Sequence, residues 1–92
     1  MIQTFRHRGL QRLYERGDPS RLHQTHVPRL RLLLTLLDAA TKPSDMNFPG
    51  SGFHVLRGDL QGFYAVSVSG NWRLVFRFDT GDAFDVDYLD YH

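Results

Sequence analysis

The sequence ends in three groups that can carry or orient a proton, Asp90-Tyr91-His92. An imidazole titrates near neutral pH, and a neighbouring phenol or carboxylate can hold it in position. Polar residues are also common at ordinary chain ends, which fray. The run gains interest because the strand pattern predicts His54 and Arg73 on the same side of the sheet as Tyr91.

Two arginines are candidates for binding a phosphate. Arg57 precedes Gly58-Asp59, and Arg73 ends the run Ser-Gly-Asn-Trp-Arg. A guanidinium presents a fork of donors that matches a phosphate and stabilises charge developing in a transition state. Arginines on strands more often form structural ion pairs, and Arg77 with Asp85 is predicted to be such a pair.

Several chemistries lack the residues they need. The chain has no cysteine, no P-loop, no dinucleotide fingerprint and no nucleophile elbow. His23 and His26 lie one helical turn apart, but without a third ligand nearby they do not predict a metal site. We therefore expect neither a metal nor a cofactor.

Charge and hydropathy bound the location and the partners. Residues 1–31 contain seven arginines against Glu15 and Asp18, although the net charge is only +1. Such a segment attracts phosphate or an acidic protein, or is simply a solvated surface. The apolar stretch Leu30–Leu37 is too short to cross a bilayer, and no export signal is visible. Together with the absence of cysteine, this favours a cytoplasmic protein without membrane contact.

Helices are expected in the first part of the chain. Leu10, Leu13 and Tyr14 recur at helical spacing before Gly17, which should end the first helix. A second helical region should begin at an N-cap within residues 18–20 and restart near Pro28, since proline lacks a backbone N–H. Two or three helices are therefore predicted before residue 42, in one domain of residues 1–92.

Strands should follow the turn-rich segment 42–52. Four runs rich in valine, phenylalanine and tyrosine are separated by short loops, including Gly70-Asn71 and Thr80-Gly81-Asp82. Sequential hairpins make an antiparallel meander, and hence an α+β fold with the helices on one face of the sheet. The predicted strands are Phe53–Arg57, Phe63–Ser69, Trp72–Phe78 and Ala83–Leu89.

Loop lengths set the pairing of these strands. The two-residue loop predicts Val66 opposite Val75, and the three-residue loop predicts Phe78 opposite Phe84. One face then collects seven apolar side chains that the helices should cover. They are Trp72, Leu74, Phe76, Phe78, Phe84, Val86 and Tyr88.

The opposite face is predicted to be the polar one. A five-residue loop at 58–62 places His54 opposite Val66 and therefore on this face. Its other expected members are Tyr64, Arg73, Arg77, Asp85 and Tyr91.

Three segments together resemble the HigB toxins, which belong to the RelE/ParE-like group. They are His-Val-Leu-Arg-Gly-Asp at 54–59, Val-Ser-Gly-Asn-Trp-Arg at 68–73, and Val-Asp-Tyr-Leu-Asp-Tyr-His at 86–92. The resemblance extends over essentially the whole chain, starting at Ile2. It implies a RelE-like fold.

The resemblance also implies a function and partners. Such toxins are ribosome-dependent mRNA endonucleases of type II toxin–antitoxin systems, and a HigA-like helix-turn-helix antitoxin neutralises them. The 2′-hydroxyl of the RNA attacks the adjacent phosphate, so the reaction needs neither a metal nor a cofactor. The expected partners are therefore the antitoxin, the ribosome and mRNA.

Site residues can be carried over one by one from the resemblance. The implied set is His54, Arg57, Arg73, Asp90, Tyr91 and His92. The histidines are candidates for proton transfer, the arginines for binding the scissile phosphate, and Asp90 and Tyr91 for orienting RNA or the acid–base groups. Relatives often have lysine where this chain has Arg57, whose guanidinium stays protonated and cannot act as a general acid.

Two other functions share this fold. A ParE-like protein inhibits a DNA topoisomerase by binding, although the Asp-Tyr-His ending argues against that function. A non-catalytic binding domain is the third alternative.

Overall fold

Two α-helices form the N-terminal half of the computed structural model, which describes residues 1–90. Helix α1 spans Arg8–Arg16, and α2 spans Val27–Ala39. His7 caps α1, because its Nδ1 accepts the backbone N–H of Leu10 at 3.2 Å. Gly17 ends α1 in the left-handed conformation at φ 69°, as the sequence predicted.

The second helix begins later than the predicted N-cap at residues 18–20. Asp18 instead accepts the backbone N–H of Ser20 at 3.0 Å, which closes a local turn and competes with helix formation. A 3₁₀ turn at Gln24–His26 follows, and Pro28 lies in the first turn of α2, where its missing N–H costs nothing. The predicted restart at Pro28 is confirmed, and the predicted cap is wrong.

A four-stranded antiparallel sheet forms the C-terminal half, with its strands in chain order. The predicted meander and the α+β class are confirmed, although β1 is shorter than its apolar run suggested. The strands are β1 at His54–Val55, β2 at Tyr64–Ser69, β3 at Trp72–Asp79 and β4 at Asp82–Asp90.

The N-terminal segment extends this sheet at the β4 edge. Ile2 and Phe5 form parallel bridges with Ala83 and Val86. The segment therefore covers the first part of the edge strand, which limits the number of unpaired backbone groups there.

A bulge in β2 changes the predicted β2–β3 register. Ser69 pairs with Trp72 beside the turn, but the next pair is Ser67 with Arg73, so one residue of β2 is extra. Val66 therefore pairs with Leu74, and the predicted Val66–Val75 pair is wrong.

A second bulge changes part of the β3–β4 register. The loop between β3 and β4 has two residues, Thr80-Gly81, where the sequence predicted three. Phe78 therefore pairs with Ala83 instead of Phe84. The pairing shifts by one residue after Phe84, where Asp85 has φ 55°. Beyond the bulge the register agrees with the sequence prediction.

The helices cover the sheet face that the sequence predicted. Six of the seven expected side chains belong to the main core or pack against it, and the exception is Phe84. Ala83 is buried in its place, and Phe84 lies beneath the Arg77 guanidinium, 4.9 Å from ring centroid to Cζ. The bulge thus exchanges which of the two neighbours faces the helices.

The buried His26 side chain connects the start of α2 to the end of β4. Its Nδ1 shares a hydrogen bond with the Tyr88 hydroxyl, and the His23 ring lies 5.0 Å away between centroids. Desolvation, and then the neighbouring His23, lower the pKa of His26. Burial also lowers the pKa of His7, which packs against Tyr88. The folded state therefore favours the neutral form of both imidazoles.

We predict that the protein loses stability as the pH falls below the ordinary histidine pKa of 6.5. The unfolded chain takes up protons there while the folded chain resists, so the stabilisation is complete above that pH and lost below it. Urea unfolding at about pH 7.5 and about pH 5.5 measures the loss. His26→Gln should show a smaller difference between the two conditions, and equal wild-type free energies of unfolding would contradict the prediction.

Candidate active site

Hydrogen bonds made by the Arg29 side chain of α2, and by the backbone of the turn-rich segment 42–52, hold the chain just before β1. The backbone N–H of Ser67 donates to the Ser51 carbonyl at 2.7 Å. Arg29 donates to the carbonyls of Ser67 and Gly50 at 2.9–3.2 Å. These bonds satisfy the β2 edge beyond β1 and hold the segment that leads into His54.

His54 lies on the sheet face that the helices leave open, because β1 pairs it with Ala65. The sequence predicted Val66 as its partner, which is wrong by one residue. The β2–β3 pairing is displaced by one residue as well, so the two differences cancel. His54 and Arg73 consequently share the open face, and the His54 imidazole is exposed.

His54, Arg57 and Arg73 line one cleft of about 360 Å³ on this face. Val55, Leu56 and Ala65 complete its lining. None of these six described residues carries a negative charge. The cleft therefore favours an anion that offers oxygen acceptors to guanidinium groups.

The Arg73 side chain is held in place but keeps donors for a ligand. Its Nη1 donates to the carbonyls of Gly70 at 2.6 Å and Trp72 at 3.1 Å. Nε and Nη2 of Arg73 make no hydrogen bond with another residue of the range 1–90. Both nitrogens are therefore available for bidentate contact with a phosphate. The guanidinium is thus positioned before any substrate arrives.

Arg77 has a different role on the same face. Its Nε donates to Asp85 Oδ2 at 2.7 Å, as the sequence predicted. Both side chains are more than a quarter exposed, so the ion pair contributes only about 0.5 kcal/mol to stability.

Asp90 is the last described residue, at the end of β4. It pairs with Trp72, whereas the neighbouring Leu89 pairs with Arg73. Because side chains alternate along a strand, the Asp90 side chain leaves β4 on the helix-covered side. Asp90 does not line the cleft. The predicted site residues Tyr91 and His92 lie outside the described residues.

The sequence interpretation missed an apolar floor on the open face. It is a small second core made of Leu56, Phe63, Ala65 and Val75. Its signal was the nearly continuous apolar runs in β2 and β3, which are typical of strands buried on both faces.

Tyr64 was predicted on the open face and lies on the other one. The β2 bulge turns it towards the helices, where its ring stacks on Phe53 and Phe76 at centroid distances of 5.8 Å and 6.2 Å. The prediction failed because it assumed uninterrupted alternation along β2.

Comparison with known proteins identifies the family. The sequence model described as "RelE-like toxin of type II toxin-antitoxin system HigB" matches residues 3–92. The chain belongs to this HigB-like toxin family. It is 38% identical over 92 residues to Endoribonuclease HigB of Proteus vulgaris, with the full length of both chains covered. It is 34% identical over 94 residues to Toxin HigB-1 of Vibrio cholerae, covering 100% of this chain and 98% of that one.

Membership agrees with the resemblance drawn from residues 54–59, 68–73 and 86–92. A HigB-like toxin of a type II system has an antitoxin as its partner. Within residues 1–90, no helix is both long and apolar enough to cross a bilayer. The same residues contain no cluster of three potential metal-ligating side chains.

Proposed function

We propose that this HigB-like toxin is a metal-independent endoribonuclease that cuts mRNA on the ribosome. The observation that carries the proposal is the electropositive cleft lined by His54, Arg57 and Arg73. An imidazole beside two guanidiniums suits phosphodiester cleavage, because it supplies proton transfer together with charge stabilisation. The similarity to Endoribonuclease HigB supports RNA as the substrate.

The proposed reaction needs no outside nucleophile. The ribose 2′-hydroxyl gives up its proton and its oxygen bonds to the adjacent phosphorus, while the bond from phosphorus to the 5′-oxygen breaks. The leaving oxygen takes a proton, and a 2′,3′-cyclic phosphate remains. His54 and His92 are the proposed proton carriers, and Tyr91 orients them or the RNA. Asp90 lies on the other face of the sheet from the cleft, so its proposed role is limited to orienting His92.

The arginines act on charge. As the new bond forms, negative charge grows on the phosphoryl oxygens, and Arg57 and Arg73 offset it. Arg57 stays protonated throughout, so its role is electrostatic. Neither Arg57 nor His54 has a side-chain hydrogen bond or ion pair with another residue of the described range 1–90, so both can engage a ligand.

We further propose ribosomal RNA and a HigA-like helix-turn-helix antitoxin as partners, and hence a cytoplasmic location. Helix α1 carries Arg8, Arg12 and Arg16 at four-residue intervals along one face. Arg8 and Arg16 are exposed, whereas Arg12 is partly buried and lies 3.8 Å from Asp18 in an ion pair. Exposed guanidiniums attract the RNA phosphate backbone without reading its sequence. Such contacts would hold the toxin while the cleft meets the mRNA.

A direct test compares ribosome-bound and free RNA. Purified ribosomes programmed with end-labelled mRNA should be cut in the decoding site, whereas naked RNA is cut poorly. His54→Gln should slow the cut by about 100-fold or more, since positioned acid–base groups contribute at least that much. Equal cutting of free RNA would contradict ribosome dependence.

The alternative is a ParE-like inhibitor of a DNA topoisomerase. Measuring translation and DNA supercoiling after induction separates the two functions, because an mRNA endonuclease stops translation first. An early change in supercoiling with intact mRNA would favour the topoisomerase.

A further inference from the structure

A second concavity adjoins the candidate cleft around the free edge of β1. It has a volume of about 460 Å³, large enough for a small ligand. Val55, Leu56 and Arg57 line both spaces, so β1 and the residues after it form a shared wall. Gln61, Gly62 and Tyr64 complete the second one, which we call the edge pocket.

The two spaces lie on different sides of the sheet edge. His54 pairs with Ala65 and faces the open side, whereas Val55 pairs with Tyr64 and faces the other side. An RNA strand that leaves the cleft and passes over β1 therefore enters the edge pocket. Because β1 has only two residues, the path between the two spaces is short.

The edge pocket combines a contact surface with polar groups that are free to bind. Val55 is 61% exposed, so its apolar side chain is available for contact with a ligand. The side-chain amide of Gln61 and the Tyr64 hydroxyl have no hydrogen-bond partner among residues 1–90. An apolar surface with a few convergent polar groups is typical of a ligand site.

The Gln61 and Tyr64 polar groups also differ in how the structure supports them. The Tyr64 ring stacks on Phe53 and Phe76, so its hydroxyl is held in one place. Gln61 lies in the loop after the 3₁₀ turn Gly58–Leu60, and its amide offers both donors and an acceptor. A group with both functions can recognise the edge of an unstacked base.

We infer that the edge pocket binds the nucleotide next to the scissile phosphate and selects its base. Arg57, shared by both spaces, contacts the connecting phosphate. Val55 packs against the base or the sugar, and Gln61 and Tyr64 bind the base edge. This inference rests on the proposed function, because it assumes that RNA occupies the cleft. Gln61 is thereby a specificity-determining residue.

Selectivity in ribosome-dependent cleavage tests this assignment. One set of four mRNAs differs only in the nucleotide on the 5′ side of the cut, and a second set differs only in the nucleotide on the 3′ side. The value of kcat/KM for cleavage is compared within each set. Gln61→Ala should reduce the ratio between the best and the worst base by about fivefold at one of these positions. Tyr64→Phe, which removes only the hydroxyl, should change the ratio in the same direction.

A matched control separates the pocket from general effects. Gln3→Ala removes an exposed glutamine side chain that donates to Asp82 at the start of β4, the edge strand opposite to β1. This change should leave the ratio unchanged. An unchanged ratio in Gln61→Ala, with mRNA still cut, overturns the edge pocket and leaves the endonuclease intact.

Nucleotide titration decides the case in which no RNA is cut and the proposed function fails. The four nucleoside monophosphates are added to the ¹⁵N-labelled protein, and the amide signals are followed. Base-dependent shifts at the Gln61 side chain and Gly62 support the pocket. Shifts confined to His54 and Arg73, or no shifts at all, overturn it.

Discussion

Replacing Arg73 by alanine should lower the rate of mRNA cleavage by about 100- to 1000-fold, the usual cost of removing one preorganised donor from a reacting oxyanion. Arg73 is fastened to the Gly70 and Trp72 carbonyls and keeps free donors above the cleft. No rearrangement is needed for it to meet the phosphate, so its full electrostatic effect is lost on removal. Single-turnover cleavage on programmed ribosomes measures the change.

Arg77→Ala provides the matched control for this experiment. The same residue type stands on the same face of β3, but its guanidinium is already engaged by Asp85 and Phe84. Its loss should cost less than about 1 kcal/mol of stability and change cleavage little. Equal losses of cleavage in the two variants would show that a general loss of positive charge is responsible, and the role of Arg73 would be wrong.

Folding of the Arg73→Ala variant is verified separately. Arg73 is only partly buried, so its urea unfolding midpoint should stay near that of the wild type. The same variant should also relieve growth inhibition in cells. A stable Arg73→Ala protein that remains fully toxic would remove Arg73 from the site.

Replacing Phe76 by alanine should lower the free energy of unfolding by about 3–5 kcal/mol. Phe76 is fully buried at 0% exposure, and its ring contacts Tyr64 and Phe78 at centroid distances of 6.2 Å and 5.9 Å. Truncation loses the transfer free energy of the ring and leaves a cavity between the sheet and the helices. A domain of this size has only about 5–15 kcal/mol in total.

The loss is measured by urea unfolding of both proteins at neutral pH. Leu32→Ala is the control, since Leu32 is 49% exposed on α2 and its truncation should change stability by less than about 0.5 kcal/mol. Phe76→Ala should also reduce toxicity, but through depletion of folded protein. A variant as stable as the wild type would mean that Phe76 is not central to the core.

Local sequence determined the end of α1, the β2–β3 hairpin and the sheet face that the helices cover. Gly17 ends α1 because only a residue that tolerates φ 69° closes the helix there, and Gly70-Asn71 predicts its hairpin for the same kind of reason. The alternation of apolar residues in β3 predicted which face the helices cover. Both signals depend on neighbours along the chain, so no tertiary knowledge was required.

The two bulges that shift the register of the sheet were decided only by tertiary structure. The Asp85 backbone N–H donates to Thr4 Oγ1 at 2.8 Å, across 81 residues, and Ser67 bonds to Ser51 and Arg29 beside the β2 bulge. Such distant partners stabilise the two bulges, which the apolar periodicity of the strands does not predict. They turned Tyr64 and Phe84 to unexpected faces. His54 and Arg73 share a face because two one-residue shifts cancel, and this outcome depends on the packed structure.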